Sequence, residues 1–491
     1  MHTNIPTARV STGVPGCDDI LGGGLVAGHA YLLAGTPGAG KTIFSLQWLR
    51  DGLRRGEKCM YITLCEPGDS IVKNVAAFGW NMNEVDIVDL SPSGEALGEN
   101  SGDYHMFPPS EVESVPVWNA IYQAVRAKSP HRLVIDSVTQ LRYLATDEYQ
   151  FRKNILGLVN FLDKANITSF LVFEPTEMDR DTAVALAADG VIRLRFEISP
   201  ALAIGLRSIQ VDKMRGSDFM SGRHPFRISQ GGFSVFPHRI EGAGLRPPGE
   251  SIFSSGIEAM DSLLGGGLES GTTTLLTGPT GTGKSTLGTQ FLAHHAATGR
   301  AILFTFEEPP SFIIARSRGL GKPVDMIVDS GMLKIIRINP LELYPDEFLA
   351  MVRHAVEVDG CTMVMIDSLR GYQFAMEEFG KPQAHIHNLV SYLSRLGVTT
   401  ILINEVEHIT STSLKATDLG GSHLADNIVL LRYAEYAGKV IKIVGCLKKR
   451  VGNFEPELRQ IRVDESGIHV SEKLEHLRGI LTGIPASTKD M

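Results

Sequence analysis

The chain of 491 residues has only five cysteines, Cys17, Cys59, Cys65, Cys361 and Cys446, and no two of them form a CxxC pair. This argues against a zinc site and a disulfide framework, and fits a reducing cytoplasm. Cys17, Cys59, Cys361 and Cys446 read as buried single thiols. No apolar run is long enough to cross a bilayer, and the start, Met-His-Thr-Asn-Ile-Pro, is not a signal peptide. The expectation is a cytoplasmic protein with no membrane partner. An excess of positive charge is missing too: 47 Lys and Arg face 55 Asp and Glu, a net charge of −8. A general nucleic-acid binder wants the opposite balance. Hydrophobic content of 43% and charged content of 21% are ordinary for a globular protein.

What is present is a pair of phosphate-binding loops. One runs Gly35-Thr36-Pro37-Gly38-Ala39-Gly40-Lys41-Thr42, the other Gly278-Pro279-Thr280-Gly281-Thr282-Gly283-Lys284-Ser285, with Thr286 next to it. Both match G-x-x-x-x-G-K-[ST]. Glycines let the backbone wrap an anion with its N–H groups turned inward. Lys41 and Lys284 are expected on the β- and γ-phosphates, and the Thr42 and Ser285 hydroxyls on magnesium. The helix after each loop adds the positive end of its dipole. The required context is a strand before and a helix after. His29 to Ala34 and Thr272 to Thr277 read as buried strands, and Ile43 to Leu53 and Leu287 to Ala297 as helices. The chain should therefore bind two nucleoside triphosphates.

The segments around the loops repeat. Ser11-Thr12-Gly13 returns as Ser254-Ser255-Gly256, Asp18 as Asp261, Gly22-Gly23-Gly24-Leu25 as Gly265-Gly266-Gly267-Leu268, and Lys41 as Lys284, at a constant offset of 243. That period is too long for a solenoid and means a duplicated domain. The expected halves are residues 1–243 and 244–491, with a Gly- and Pro-rich seam near 241–249. Downstream, each half repeats the same order of apolar strands, with helical patterns between them. This predicts an α/β fold of two tandem domains, each a mostly parallel sheet covered by helices. Active groups then gather at the carboxyl ends of the strands.

Those ends carry the expected chemistry. Strands closing on Asp136 and Asp367 would hold magnesium with Thr42 and Ser285. Glu307 and Glu308 follow the strand at Ala301 to Phe306, where a carboxylate can take a proton from water or from an attacking hydroxyl. The alternative is a solvated acidic turn before Pro309-Pro310. The matching pair in the first half is Cys65-Glu66, so hydrolysis there is altered or rests on Glu66. Lys213 and Arg215, with Lys448 and Arg450, form a second repeated pair. They could complete a neighbouring subunit's site as arginine fingers do, or be solvated basic turns.

With these residues in hand, the chain resembles the KaiC family, tandem RecA-fold ATPases of the bacterial circadian clock. The resemblance runs through both loops, both strand-end aspartates, Thr305 to Pro310, Lys213 to Ser217 and Asp426 to Leu431. It implies double-ring homohexamers with ATP between subunits, a first ring that is chiefly an ATPase, and a second that phosphorylates a neighbour on Ser and Thr. The family's first catalytic glutamate falls on Glu307 in the second half and on Cys65, a departure, in the first. Lys213, Arg215, Lys448 and Arg450 match its basic residues that reach across the interface, with Val451 replacing a glycine. Ser422 falls on its phosphorylated serine and Thr417 on a nearby threonine, while His423 replaces the adjacent phosphorylated threonine. Only six residues follow Pro485, so no KaiA-type activator is expected. A KaiB-like protein or a signalling kinase is the partner class implied. Two other readings stay open. One is a nucleotide-gated scaffold or ATPase without kinase activity. The other is a DNA-dependent RecA-type ATPase, which wants a basic channel not seen here.

Overall fold

The structure is a computed structural model and describes residues 8–92, 114–174, 183–199, 204–238, 249–321, 323–341, 343–376, 379, 382–406, 424–436, 438–475, 477–478 and 486–487. It divides into two compact units, Met1–His238 and Arg239–Met491.

The first unit is built on a nine-stranded sheet. Its strands are β1 (Ala30–Gly35), β2 (Cys59–Thr63), β3 (Asp86–Asp89), β4 (Arg132–Asp136), β5 (Thr168–Phe173), β6 (Gly190–Ile198), β7 (Gly205–Met214), β8 (Arg223–Ser229) and β9 (Gly232–Val235). The spatial order is β3-β2-β4-β5-β1-β6-β7-β8-β9. The first six strands of that order pair in parallel, and the last three extend the sheet in antiparallel hairpins. The second unit repeats this plan. Its strands are β10 (Thr273–Gly278), β11 (Arg300–Thr305), β12 (Leu333–Arg337), β13 (Cys361–Asp367), β14 (Thr399–Glu405), β15 (Asn427–Tyr436), β16 (Lys439–Lys449), β17 (Leu458–Asp464) and β18 (Gly467–Lys473), in the order β12-β11-β13-β14-β10-β15-β16-β17-β18. Both sheets are mostly parallel and flanked by helices, the architecture of tandem RecA-like domains.

The apolar run in β1 follows from its central place. Alternate side chains go to opposite faces of a strand. Tyr31 and Leu33 join the core made with Phe44, Trp48 and Leu49 of the helix after the loop. Ala30, Leu32 and Ala34 join the other core, with Ile121, Leu158 and Leu162. In the second unit, Leu276 packs with Leu287 and Phe291, and Leu275 with Leu389 and Tyr392. A strand buried on both faces shows no alternation of buried and exposed positions; even the threonines of β10, Thr273, Thr274 and Thr277, are buried.

The repeated Ser-[Ser/Thr]-Gly…Asp pattern is structural. Asp18 accepts hydrogen bonds from Ser11 Oγ and from both the amide and hydroxyl of Thr12. Asp261 does the same for Ser254 and Ser255. Each aspartate fixes the turn that leads into the first short helix of its unit. Cys17, Cys59, Cys361 and Cys446 are free and buried, and Cys65 is exposed. No helix among the described residues is long and apolar enough to cross a membrane.

Element ends differ slightly from the sequence reading. The helix placed at Leu287 to Ala297 runs Lys284–His295, because the loop glycine rather than the first apolar residue sets its start. The basic residues begin inside β7 and β16 rather than after them.

Candidate functional site

Each loop leaves the carboxyl end of a central parallel strand and feeds directly into a helix, Lys41–Arg54 or Lys284–His295. The residue before each helix is a glycine in the left-handed region, Gly40 at φ 96° and Gly283 at φ 104°, and no side chain caps either helix. The first-turn N–H groups are therefore left for an anion. Gly278 has a further reason to lack a side chain, since a Cβ there would lie 2.0 Å from the Leu431 carbonyl oxygen.

In the second unit, a cleft of about 390 Å³ is lined by Lys284, Ser285, Thr286, Glu307, Glu308 and Asp367, among others. Lys284 is 7% exposed, and its Nζ donates to the Pro279 carbonyl at 2.8 Å. Burial lowers its pKa, opposed by the charges of Glu405, Asp367 and Glu307. Desolvation pushes Asp367 up to about 6, opposed by a hydrogen bond from Ser285 and reinforced by Glu307 and Glu308. Ser368 Oγ donates to Glu307 Oε1 at 2.5 Å and accepts from the Gly371 amide at 3.2 Å. Glu308 is held by Arg316, whose Nη1 lies 2.7 Å from both carboxylate oxygens. The two adjacent glutamates are thus differently bound.

The first unit keeps the scaffold and changes the side chains. Lys41 Nζ donates to the Gly35 and Thr36 carbonyls at 2.8 and 3.1 Å and pairs with Glu174 at 3.0 Å. Thr42 Oγ1 donates to Asp136 Oδ2 at 3.2 Å. Tyr61 also donates to Asp136; the register puts Leu303 at that place in the second unit. Burial raises the pKa of Asp136, opposed by Tyr61, Thr42 and Lys41. Where Glu307 meets Ser368, Cys65 Sγ lies 3.7 Å from Ser137 Oγ. Glu66 receives a hydrogen bond from Asn74 at 3.4 Å.

The basic pairs lie elsewhere. Lys213 is opposite Val191, and Val191 opposite Leu32, three residues before Gly35. Lys448 is opposite Ile428, and Ile428 opposite Leu275, three residues before Gly278. At about 3.3 Å per residue both stand roughly 10 Å short of the loops, and the chain then runs farther away to Arg215 and Arg450. Lys213 Nζ donates to the Ala185, Leu186 and Ala188 carbonyls, and Lys448 Nζ to Ala425. Arg215 and Arg450 are 57% and 58% exposed and pair with Asp189 and Asp426. Lys449, between Lys448 and Arg450 in sequence, has a buried side chain that pairs with Glu269 at 2.6 Å. Ser422, Thr417 and His423 lie outside the described residues.

Sequence reasoning missed Ser368, Arg316, Glu405 and Lys442, all of which line the second cleft. Two of them had a signal in the repeat, since Ser137 and Ser368 follow the two strand-end aspartates, and Glu174 and Glu405 stand at the carboxyl ends of the matching strands beside the loop strands.

Two loop-and-carboxylate centres on two copies of one parallel-sheet scaffold define a tandem P-loop ATPase. The KaiC ATPase family profile matches residues 10–240 and again 253–475. The chain is 28% identical over 493 residues to the circadian clock protein KaiC3 of Synechocystis sp., covering 98% of this chain and 95% of that protein. It is 28% identical over 489 residues to the circadian clock oscillator protein KaiC of Parathermosynechococcus lividus, covering 97% and 88%. To the protein of that name from Synechococcus elongatus it is 27% identical over 490 residues, covering 97% and 92%. The chain belongs to the KaiC ATPase family.

Proposed function

We propose that this protein is an ATP-driven oligomeric switch whose second half hydrolyses ATP and transfers phosphoryl groups to its own chain. The observation that carries this reading is Glu307, aimed by Ser368, in the same cleft as Lys284, Ser285 and Asp367. A water or hydroxyl oxygen attacks the γ-phosphorus in line and gives its proton to Glu307. The bond from the γ-phosphorus to the bridging oxygen breaks, and its electron pair leaves with ADP. Lys284 and the uncapped helix N-terminus hold the negative charge in place.

The residues also fit magnesium. Thr42 with Asp136 and Ser285 with Asp367 are oxygen-only donor sets suited to a hard cation, and the raised Asp367 marks a desolvated carboxylate that a cation would neutralise. When bound there, magnesium would supply positive charge that offsets the charge of the phosphates. Ser422, and next to it Thr417, are the acceptor candidates. The placement of Arg215 and Arg450 away from their own loops supports action in trans, in a homohexamer with ATP between subunits. Cys65 supports a first half that holds ATP and turns it over slowly or through Glu66. The named relatives are clock proteins, and a clock-type or other signalling switch, with a KaiB-like protein or a signalling kinase as partner, is the corresponding role here.

The test is incubation with magnesium and γ-labelled ATP, scoring labelled protein and free phosphate together. Label on the wild type that disappears in both Glu307→Gln and Lys284→Ala is the expected result. Free phosphate without protein label would refute the kinase and leave an ATPase switch. Incorporation unchanged by Ser422→Ala would remove Ser422 as the acceptor.

A further inference from the structure

Arg316 stands on the helix Pro310–Gly319, which follows the Glu307–Glu308 turn, and lines the same cleft as Lys284, Ser285 and Asp367. Both oxygens of Glu308 contact one and the same guanidinium nitrogen, Nη1. The common arginine–carboxylate fork engages two nitrogens. Here Nη2 is left over, buried and without a hydrogen-bond partner among the described residues. An unsatisfied buried donor is costly, and such an atom often marks the place of an ion, a water or a ligand.

The first half has no counterpart. Asn74 occupies the corresponding helix position and reaches Glu66 with a long hydrogen bond of 3.4 Å. The loops, sheets and strand-end aspartates repeat between the halves, but this cation does not.

We propose that Arg316 is an anion-contacting residue of the second nucleotide site, acting in cis, with Nη1 on Glu308 as the pivot about which the guanidinium turns to bring Nη2 from its buried, unpartnered position to a phosphoryl oxygen of ATP. This rests on the reading that the second half hydrolyses ATP. As the attacking water gives its proton to Glu307 and the γ-phosphorus parts from the bridging oxygen, negative charge grows on the oxygens of the leaving ADP. Nη2 donates to an oxygen that gains this charge. Glu308 is then the pivot for the guanidinium, and Glu307 alone is the base.

The test uses the full chain carrying Lys41→Ala, so that turnover belongs to the second half, and reads phosphate release with the binding of fluorescent ATP and ADP. Arg316→Asn, which copies the first half, is expected to lower kcat about 100-fold, the scale of losing one charge-stabilising donor. ATP binding should stay within about threefold of the parent, because the lost contact strengthens only as the charge develops, whereas ADP, which carries that charge in full, should bind more weakly. Arg316→Lys keeps the charge, guards against a folding defect, and should retain part of the rate. A kcat for Arg316→Asn within about twofold of the parent overturns the proposal. So does recovery of the parental rate in the double variant Arg316→Asn with Glu308→Gln, since the guanidinium would then serve only to neutralise Glu308. If Lys284→Ala on the same background leaves phosphate release unchanged, the underlying reading of the second half falls, and this proposal with it.

Discussion

Replacing Ser368 by alanine should slow the second half without loosening its grip on nucleotide. The Ser368 hydroxyl is 3% exposed as a residue, accepts from the Gly371 amide and donates to Glu307 at 2.5 Å. Accepting from Gly371 orients the hydroxyl, so its proton points at the carboxylate. A hydrogen bond to a charged group is worth about 1.5–3 kcal/mol. At about 1.4 kcal/mol per tenfold in rate, kcat should fall roughly 10- to 150-fold if the whole bond serves to orient Glu307. KM should barely move, because Ser368 acts through Glu307 and not on the phosphates. The assay is steady-state phosphate release in a Lys41→Ala background. The same hydroxyl caps the helix Leu369–Met376, so a stability loss of about 1 kcal/mol is expected, visible as a fall in Tm of a few degrees. Ser368→Thr keeps the hydroxyl and should restore most of the rate. A folded Ser368→Ala protein with unchanged kcat, or one whose only change is a higher KM, would refute the argument that this serine aims the base.

Cys65→Glu, in a Lys284→Ala background, should raise first-half phosphate release about tenfold or more by supplying a carboxylate base beside Ser137; an unchanged rate means that hydrolysis there does not depend on position 65. Asp367 has its folded pKa raised from 3.8 to about 6 by burial. Protonation is therefore favoured by folding, and its stabilisation is complete below pH 3.8 and lost as pH rises through about 6. Asp367→Asn should accordingly stabilise the nucleotide-free protein at pH 7 by up to about 3 kcal/mol, with the gain vanishing near pH 4; urea unfolding at both pH values decides it, and a pH-independent difference contradicts it. Lys449→Met should strand the buried Glu269 carboxylate at a cost of about 3–5 kcal/mol, and a loss below about 1 kcal/mol by chemical denaturation would show that the pair is solvated.

The loops, the central strands and the strand-end aspartates were legible because each is a local pattern. A loop is spelled in eight consecutive residues, and β5, Thr168–Phe173, ends in the apolar run Phe170 to Phe173. The antiparallel extensions were not legible. Strands such as β8 and β17 are half-buried, short on apolar alternation, and defined by hairpin partners rather than by their own sequence. The site divides the same way. Lys284, Ser285 and Asp367 carry a motif, whereas the unlike bonding of Glu307 and Glu308 depends on Ser368, 61 positions from Glu307, and on a helix face that turns Arg316 back into the cleft. Lys448-Lys449-Arg450 looked like one basic cluster, but adjacent residues on a strand face opposite ways, and Lys449 went inward to Glu269.

Within each unit taken by itself, the register of the sheet gives a front and a back. The loop opens at one margin of that unit's sheet, and its arginine, Arg215 or Arg450, lies toward the other. Under the trans reading, contacts that repeat from the loop of one subunit to the arginine of the next run nose to tail, in a closed circuit or an endless filament. In a mixture of good and Arg450→Ala subunits, damage would then travel in one direction only: a faulty subunit would keep its own pocket working and silence the one next door.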